Sequence, residues 1–128
     1  MVVDDLYKEV LLEEAENPKN KGVLTDAQVV VPLKNASCGD MVTLYLKMSD
    51  DGLIEAISWE GDGCVISQAA ASVVSETVKG KSIADVTALG LPEVLELLHF
   101  DTISPGRIKC SMLGLTAIKN ALQKIAGE

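Results

Sequence analysis

The sequence predicts an α+β fold, in which a three-stranded antiparallel sheet carries helices packed on one face. Apolar residues alternate or form short runs from about residue 27 to residue 60, whereas the rest of the chain has mostly helical periodicity. Because the strands come as a group rather than alternating with helices, α+β is favoured over a parallel βαβ sheet. The length of 128 residues fits one domain, residues 1–128, with a single core.

Composition limits the partners and the compartment. Apolar residues make up 48% of the chain and aromatic residues only 3%, which predicts an aliphatic core. The net charge of −8 argues against nucleic acid and against an anionic membrane as partners, because like charges repel. The N-terminal stretch MVVDDLYKEV lacks the basic start of a signal peptide, and no apolar run is long enough for a membrane helix. We therefore expect a cytoplasmic protein.

The first expected element is a helix in DDLYKEVLLEEAENP. Leu6 and Val10, with Leu11 beside them, would form its apolar stripe. Pro18 should end this helix, and NPKNKG should follow as a loop.

Three strands should follow, in AQVVVPL, MVTLYLKM and LIEAISWE. In the second strand Val42, Leu44 and Leu46 alternate with polar residues, so they should share the buried face. Pro32 indicates that the first strand lies at an edge of the sheet. The stretch SDDG, residues 49–52, predicts a hairpin turn between the second and third strands.

Helices should make up the rest. The first is expected over about residues 65–79, with Gly80 as its C-terminal stop. Ser82 is expected to be an N-cap, and Pro92 fits the first turn of a helix in LPEVLELL. DTISPGR should form a turn before a last helix over about residues 111–125.

Three cysteines lie near predicted element boundaries: Cys38 in NASCGD, Cys64 in GDGC and Cys110 in RIKC. An odd number leaves one thiol outside any disulfide scheme, and thiols in a reducing compartment are mostly structural, metal-binding or catalytic. Taken singly, each is best explained as a buried structural residue. Their shared position at boundaries predicts a site that the fold assembles from three segments, unlike a CxxC zinc ribbon.

Asp40 lies two residues after Cys38, so in extended backbone both side chains would leave the same side of the chain. Gly39 between them removes bulk and permits unusual backbone angles. A soft thiolate and a hard carboxylate at this spacing predict a pair of metal ligands.

The other two cysteines are expected at helix N-termini, where unpaired N–H groups and the helix dipole favour a thiolate. Cys64 follows Gly61 and Gly63, whose missing side chains would allow backbone to approach a bound group. Cys110 is preceded by the basic residues Arg107 and Lys109.

Three thiolates select zinc, Cu(I) or an iron–sulfur cluster. A permanent cluster normally has four cysteine ligands, so a carboxylate in one position should bind iron more weakly and exchange more readily. Such a weak position suits a site that must release what it holds.

The motifs NASCGD, GDGCVISQAAASVV and RIKCSMLGLTAIKNAL resemble those of the U-type iron–sulfur cluster assembly scaffolds, the family of IscU, SufU and the N-terminal domain of NifU. LYKEVLLEEAENPKNKG is similar to the opening helix and loop of that family, so the resemblance spans nearly the whole chain. It implies that Cys38, Asp40, Cys64 and Cys110 are the ligands of a [2Fe-2S] cluster, and that a small antiparallel sheet with helices on one side carries them.

The resemblance also implies a function. A cysteine desulfurase would deliver persulfide sulfur, iron would join, and the cluster would pass to apo-proteins or carrier proteins. Cys110 matches the usual persulfide acceptor. The resemblance thus implies a scaffold and carrier rather than a turnover enzyme. It leaves open whether a homo-oligomer shares the cluster.

Two departures from the family keep alternatives open. Lys109 stands where IscU-type members have histidine and is typical of SufU, yet the insertion that SufU members carry before the last motif is missing. ISPGR also replaces the loop that a dedicated chaperone binds in IscU. One alternative is a zinc-dependent sulfurtransferase that holds Zn2+ at the same four residues. A purely structural zinc site is the other, but such sites usually have only Cys and His ligands.

Overall fold

The computed structural model describes residues 11–35, 39–99 and 105–127. Within the described residues, positions 11–16 are helical and are called α1 here. The strands β1 (Val29–Lys34), β2 (Met41–Met48) and β3 (Ile54–Asp62) follow. Four helices complete the order: α2 (Val65–Val78), α3 (Ile83–Thr87), α4 (Leu91–Leu97) and α5 (Pro105–Ala126).

The three strands form one antiparallel sheet in the order β1-β2-β3. The register aligns Val31 with Leu44 and Leu44 with Trp59, and all three are buried on the same face. Helix α2 packs against β3 on this face, and α5 packs against β1 and β2. The predicted fold class, a three-stranded antiparallel sheet with helices on one face, is therefore confirmed.

Local patterns predicted most of the elements correctly. Strand β2 has the expected bounds, and Gly52 closes the β2–β3 hairpin with a φ of +80° and an N–H that donates to Ser49 O at 3.1 Å. Ser82 caps α3 by accepting from the Asp85 N–H at 3.2 Å, and Pro92 lies in the first turn of α4. Gly80, at a φ of +78°, follows α2 as expected.

Helix α5 begins at Pro105, so the prediction of a turn through residues 105–107 and a helix start near residue 111 is wrong. Proline has no N–H to lose at the start of a helix and has a φ suited to it, so Pro105 begins the helix instead of breaking it. The expected stripe residues Leu6 and Val10 and the first part of DTISPGR lie outside the described residues.

Loop residues 17–22 tie α2 to β3. The Lys19 N–H donates to Ser72 Oγ at 2.7 Å, and the indole N–H of Trp59 donates to Lys19 O at 2.9 Å. Ser72 in turn donates to the carboxylate of Glu14 in α1. Lys21 forms an isolated parallel β-bridge with Trp59, and this pairing covers part of the outer edge of β3. The loop therefore fixes the position of α2 relative to the sheet.

Within the part of the chain that the structure describes, none of the helices has the length and apolarity that crossing a membrane requires.

Substitution of Glu14 tests the loop contact. Partial burial raises the pKa of Glu14, but hydrogen bonds from Lys19 and Ser72 and the charge of Lys19 outweigh it and lower that pKa. The ionised carboxylate therefore stabilises the fold above its unfolded-state pKa, and this contribution is lost as the pH falls through the folded-state pKa. Glu14→Gln should reduce the free energy of unfolding by about 1 kcal/mol near neutral pH. The difference from wild type should vanish in acid.

Urea unfolding at a series of pH values measures this effect. Glu13→Gln, a change at the exposed neighbouring carboxylate, is the matched control and should leave stability almost unchanged. A loss in Glu14→Gln that stays constant across the pH series would show that the charge of Glu14 does not stabilise the contact.

Candidate metal centre

Asp40, Cys64 and Cys110 meet at one end of the sheet. One carboxylate oxygen and the two sulfur atoms all lie within 4.8 Å of one another. Asp40 immediately precedes β2, Cys64 lies two residues after the end of β3, and Cys110 belongs to α5. The structure thus brings together three of the four predicted ligands from distant segments. Cys38, the fourth, lies outside the described residues and stays a prediction.

The carboxylate of Asp40 is buried against the start of α2. Only 4% of Asp40 is exposed, and a buried charge requires hydrogen-bond partners. The Cys64 N–H donates to Asp40 Oδ1 at 3.3 Å, and the Cys64 thiol lies 3.4 Å from Asp40 Oδ2 as a donor. The preceding Gly39 has a φ of +73°, and its N–H donates to Asn35 O at 2.8 Å. This turn directs Asp40 towards Cys64.

Gly63 makes room for the Asp40 carboxylate. A Cβ atom at position 63 would lie 2.6 Å from Asp40 Cγ and 2.7 Å from Ser67 Oγ, which is closer than atoms can pack. A Cβ at Gly61 would lie 2.7 Å from Met41 O. The space beside both glycines is therefore filled by the protein itself, whereas the sequence had suggested room for a bound group.

Cys64 is the N-cap of α2, as predicted, and its side chain is exposed. Its carbonyl accepts from the Gln68 N–H at 3.1 Å and from Ser67 Oγ at 3.0 Å. Sequence reasoning missed Ser67, although a serine three residues after Cys64 was a visible signal for a local helix-start contact. These bonds hold the Cys64 backbone in place at the helix start.

Cys110 lies in the second turn of α5 and is 5% exposed, so its predicted place at the helix start is wrong. The error follows from the earlier start of α5 at Pro105. Because the effect of a helix dipole fades beyond the first turn, the N-terminal setting expected for Cys110 does not apply. The residue is also not on a loop, since it packs within the core cluster.

The donor set fits zinc or iron. A single tetrahedral ion bound at 2.0–2.3 Å would have ligand atoms roughly 3.3–3.8 Å apart, so small side-chain adjustments would bring these three into range. Thiolates select zinc and iron–sulfur species over magnesium or calcium. The carboxylate adds an oxygen donor that zinc accepts and that binds iron more weakly than a fourth thiolate would.

The fold and these side chains define a class: a small α+β protein with a cysteine and carboxylate site at one end of its sheet. The family model for the NifU-like N-terminal domain matches residues 6–128. The chain therefore belongs to the NifU-like N-terminal domain family, which confirms the resemblance found in its motifs.

Two relatives illustrate the breadth of the family. The chain is 34% identical to the zinc-dependent sulfurtransferase SufU of Bacillus subtilis, over 98% of this chain and 95% of that protein. It is 36% identical to the iron–sulfur cluster assembly scaffold protein IscU of Thermotoga maritima, over 98% of this chain and 99% of that protein. These alignments run over 143 and 141 residues, so both relatives carry residues that this chain lacks.

Solved structures agree with the fold. A NifU-like N-terminal protein from Brucella abortus superposes with a TM-score of 0.81 at 23% identity, covering 100% of this chain and 99% of that one. The SufU protein of Fervidobacterium islandicum superposes with a TM-score of 0.75 at 28% identity, covering 89% and 94%. The α+β architecture is thus shared across the family.

Gly63→Ala should displace the Asp40 carboxylate, because the new Cβ would overlap it. We expect Zn2+ affinity to fall by about 10- to 100-fold, the usual effect of disturbing the residues that orient a metal ligand. Competition with a chromogenic chelator measures this affinity.

Gly90→Ala is the matched control. Gly90 has a φ of −149°, and a Cβ there would meet its nearest atom at 3.7 Å, an ordinary contact. Wild-type affinity in Gly63→Ala would show that Asp40 need not lie against α2 for metal binding.

Proposed function

We propose that this protein is a scaffold that assembles a [2Fe-2S] cluster and transfers it to apo-proteins or carrier proteins. The observation that supports this most directly is the approach of the Asp40, Cys64 and Cys110 donor atoms to within 4.8 Å of one another. Cys38 completes the proposed ligand set. In this role the cluster is cargo, and the protein is a carrier rather than a turnover enzyme.

Sulfur is proposed to arrive from a cysteine desulfurase. The Cys110 thiolate attacks the outer sulfur of the donor persulfide, a new S–S bond forms at Cys110, and the donor leaves as a thiolate. Each transferred sulfur then needs two electrons to become sulfide, so an external electron donor is also required. Because Cys110 is buried, this step requires its sulfur to become accessible when the desulfurase binds.

Asp40 is proposed to be the exchangeable ligand. Iron prefers thiolate to carboxylate in cluster sites, so the Asp40 position is the one at which an acceptor thiol can most readily replace a scaffold ligand. Such thiols require a reducing compartment, which supports a cytoplasmic location. A cluster shared between two copies of the chain is compatible with the exposed Cys64.

Anaerobic reconstitution with iron, sulfide and thiol tests the scaffold proposal. Wild-type protein should gain the visible absorption of a bound cluster, and Asp40→Ala should release that cluster to an apo-ferredoxin several-fold more slowly, because the weak exchange point is gone.

The control is Asp62→Ala, which removes an exposed carboxylate at the same end of the sheet. It should transfer its cluster at the wild-type rate. Faster or unchanged transfer by Asp40→Ala would contradict the exchange role, and absence of visible bands in wild type would contradict the scaffold itself.

A second candidate is a zinc-dependent sulfurtransferase, in which Cys110 leaves Zn2+ to accept sulfur. Two observations favour it: Lys109 precedes the last cysteine, and the similar protein of Bacillus subtilis is named for this activity. In this case Zn2+ would supply thiolate activation and fix the four side chains around it.

Zinc-loaded protein should then raise the turnover of a cysteine desulfurase several-fold, whereas Cys110→Ser should abolish the stimulation because it lacks the accepting thiol. Alanine production by the desulfurase measures this. Turnover that is the same with and without zinc-loaded protein would exclude the sulfurtransferase.

A further inference from the structure

Helices α2 and α5, which carry the two described cysteines, cross in very close contact. Gly114 of α5 faces Ala71 of α2, and an added Cβ at position 114 would lie 3.1 Å from Ala71 Cα and 3.3 Å from Ala71 Cβ. Carbon atoms pack best at about 3.5–4.0 Å, so the two backbones are nearer than a side chain at position 114 would allow. Both residues are buried.

The two sulfur atoms are connected to this contact through short stretches of helix. Cys110 precedes Gly114 by four residues and therefore lies on the same face of α5, about 6 Å along the axis. Cys64, the N-cap of α2, precedes Ala71 by seven residues, about 10 Å along that helix and on a similar face. The helix faces that touch at Gly114 and Ala71 are thus those that present the cysteines.

We propose that Gly114 is a positioning residue that sets the distance between the Cys64 and Cys110 sulfur atoms through its contact with Ala71. The proposal rests on the metal or cluster binding proposed above. Packed helices move as units, so a separation of a few tenths of an ångström at the crossing is passed on to the sulfurs. Metal–ligand bond lengths stay within about 0.2 Å of their usual values, so a backbone shift at the crossing adds to the side-chain adjustment that metal binding requires, and this extra adjustment lowers the affinity.

The test compares metal binding by Gly114→Ala and wild type. Zn2+ affinity should fall by on the order of tenfold, and the thiolate-to-metal absorption of the Co2+-loaded protein should weaken or shift. The fold should persist, since alanine has the higher helix propensity. Thermal unfolding of the metal-free protein, kept so by a chelator, measures the effect of the substitution on packing separately from its effect on ligand spacing.

Rescue tests whether the loss of affinity arises at the contact between Gly114 and Ala71. Ala71→Gly removes one of the two atoms that the new Cβ would meet within 3.4 Å, Ala71 Cβ, while Ala71 Cα stays in place, so Ala71→Gly combined with Gly114→Ala should recover part of the Zn2+ affinity and of the Co2+ spectrum. Ala71→Gly alone is the reference with which the double variant is compared. Should Gly114→Ala fail to fold, Ala71→Ser, which adds an atom to the same contact from α2, takes its place and should also lose affinity.

Wild-type affinity and an unchanged Co2+ spectrum in Gly114→Ala would overturn the proposal, as would a loss that Ala71→Gly does not lessen at all. In either case the scaffold proposal survives if wild type binds Zn2+ and Co2+. If wild type binds neither ion, the site itself is wrong, and the positioning role falls with it.

Discussion

The contact between Asp40 and the start of α2 is the constraint on which the site depends. A carboxylate buried to this degree is tolerated only where donors meet it, and the Cys64 N–H and thiol do so. The contact joins the turn before β2 to the segment after β3, and it exists only because position 63 has no side chain. One backbone position therefore determines whether the carboxylate and the Cys64 sulfur can share a site.

The rest of the fold fixes the position of α2, whose start forms the other half of the contact with Asp40. Loop residues 17–22 fix α2 to β3 through Ser72 and Trp59, while the crossing of α2 with α5 brings Cys110 towards Cys64. Helix α2 is thus bound at three points: its start, its middle and its face towards α5. These contacts fix the backbone that carries Cys64 relative to the sheet and to α5.

Local pattern was enough to predict the sheet and the place of Cys64, because alternation and the Asp-Gly turn depend on neighbouring residues alone. It was not enough for α5. Pro105 followed by glycine is typical of a turn, yet proline is equally suited to a helix start, and packing of the following residues decides between the two. The burial of Cys110 depends on where α5 begins and could not be predicted without that position.

Long-range contacts were beyond local pattern for a similar reason. Ser72 looks like one more small residue in a helix of alanines and valines, but its hydroxyl accepts from Lys19, 53 residues away in sequence. Gly61 and Gly63 were expected to let backbone approach a bound group, but protein atoms fill the space beside both. The neighbours of these glycines depend on where Asp40 and Met41 lie in the fold, which local pattern does not show.

The partners of Asp40 also bear on how a carrier releases cargo. A carboxylate ligand that lost its metal and stayed buried without a hydrogen-bond donor would oppose release, because an unpaired buried charge is unstable. The Cys64 N–H and thiol lie within hydrogen-bonding distance of the two Asp40 oxygens. Both groups therefore meet the carboxylate without any movement of the backbone. As the proposed exchangeable ligand, Asp40 would thus have hydrogen-bond partners in place when the metal leaves, which favours exchange over permanent retention.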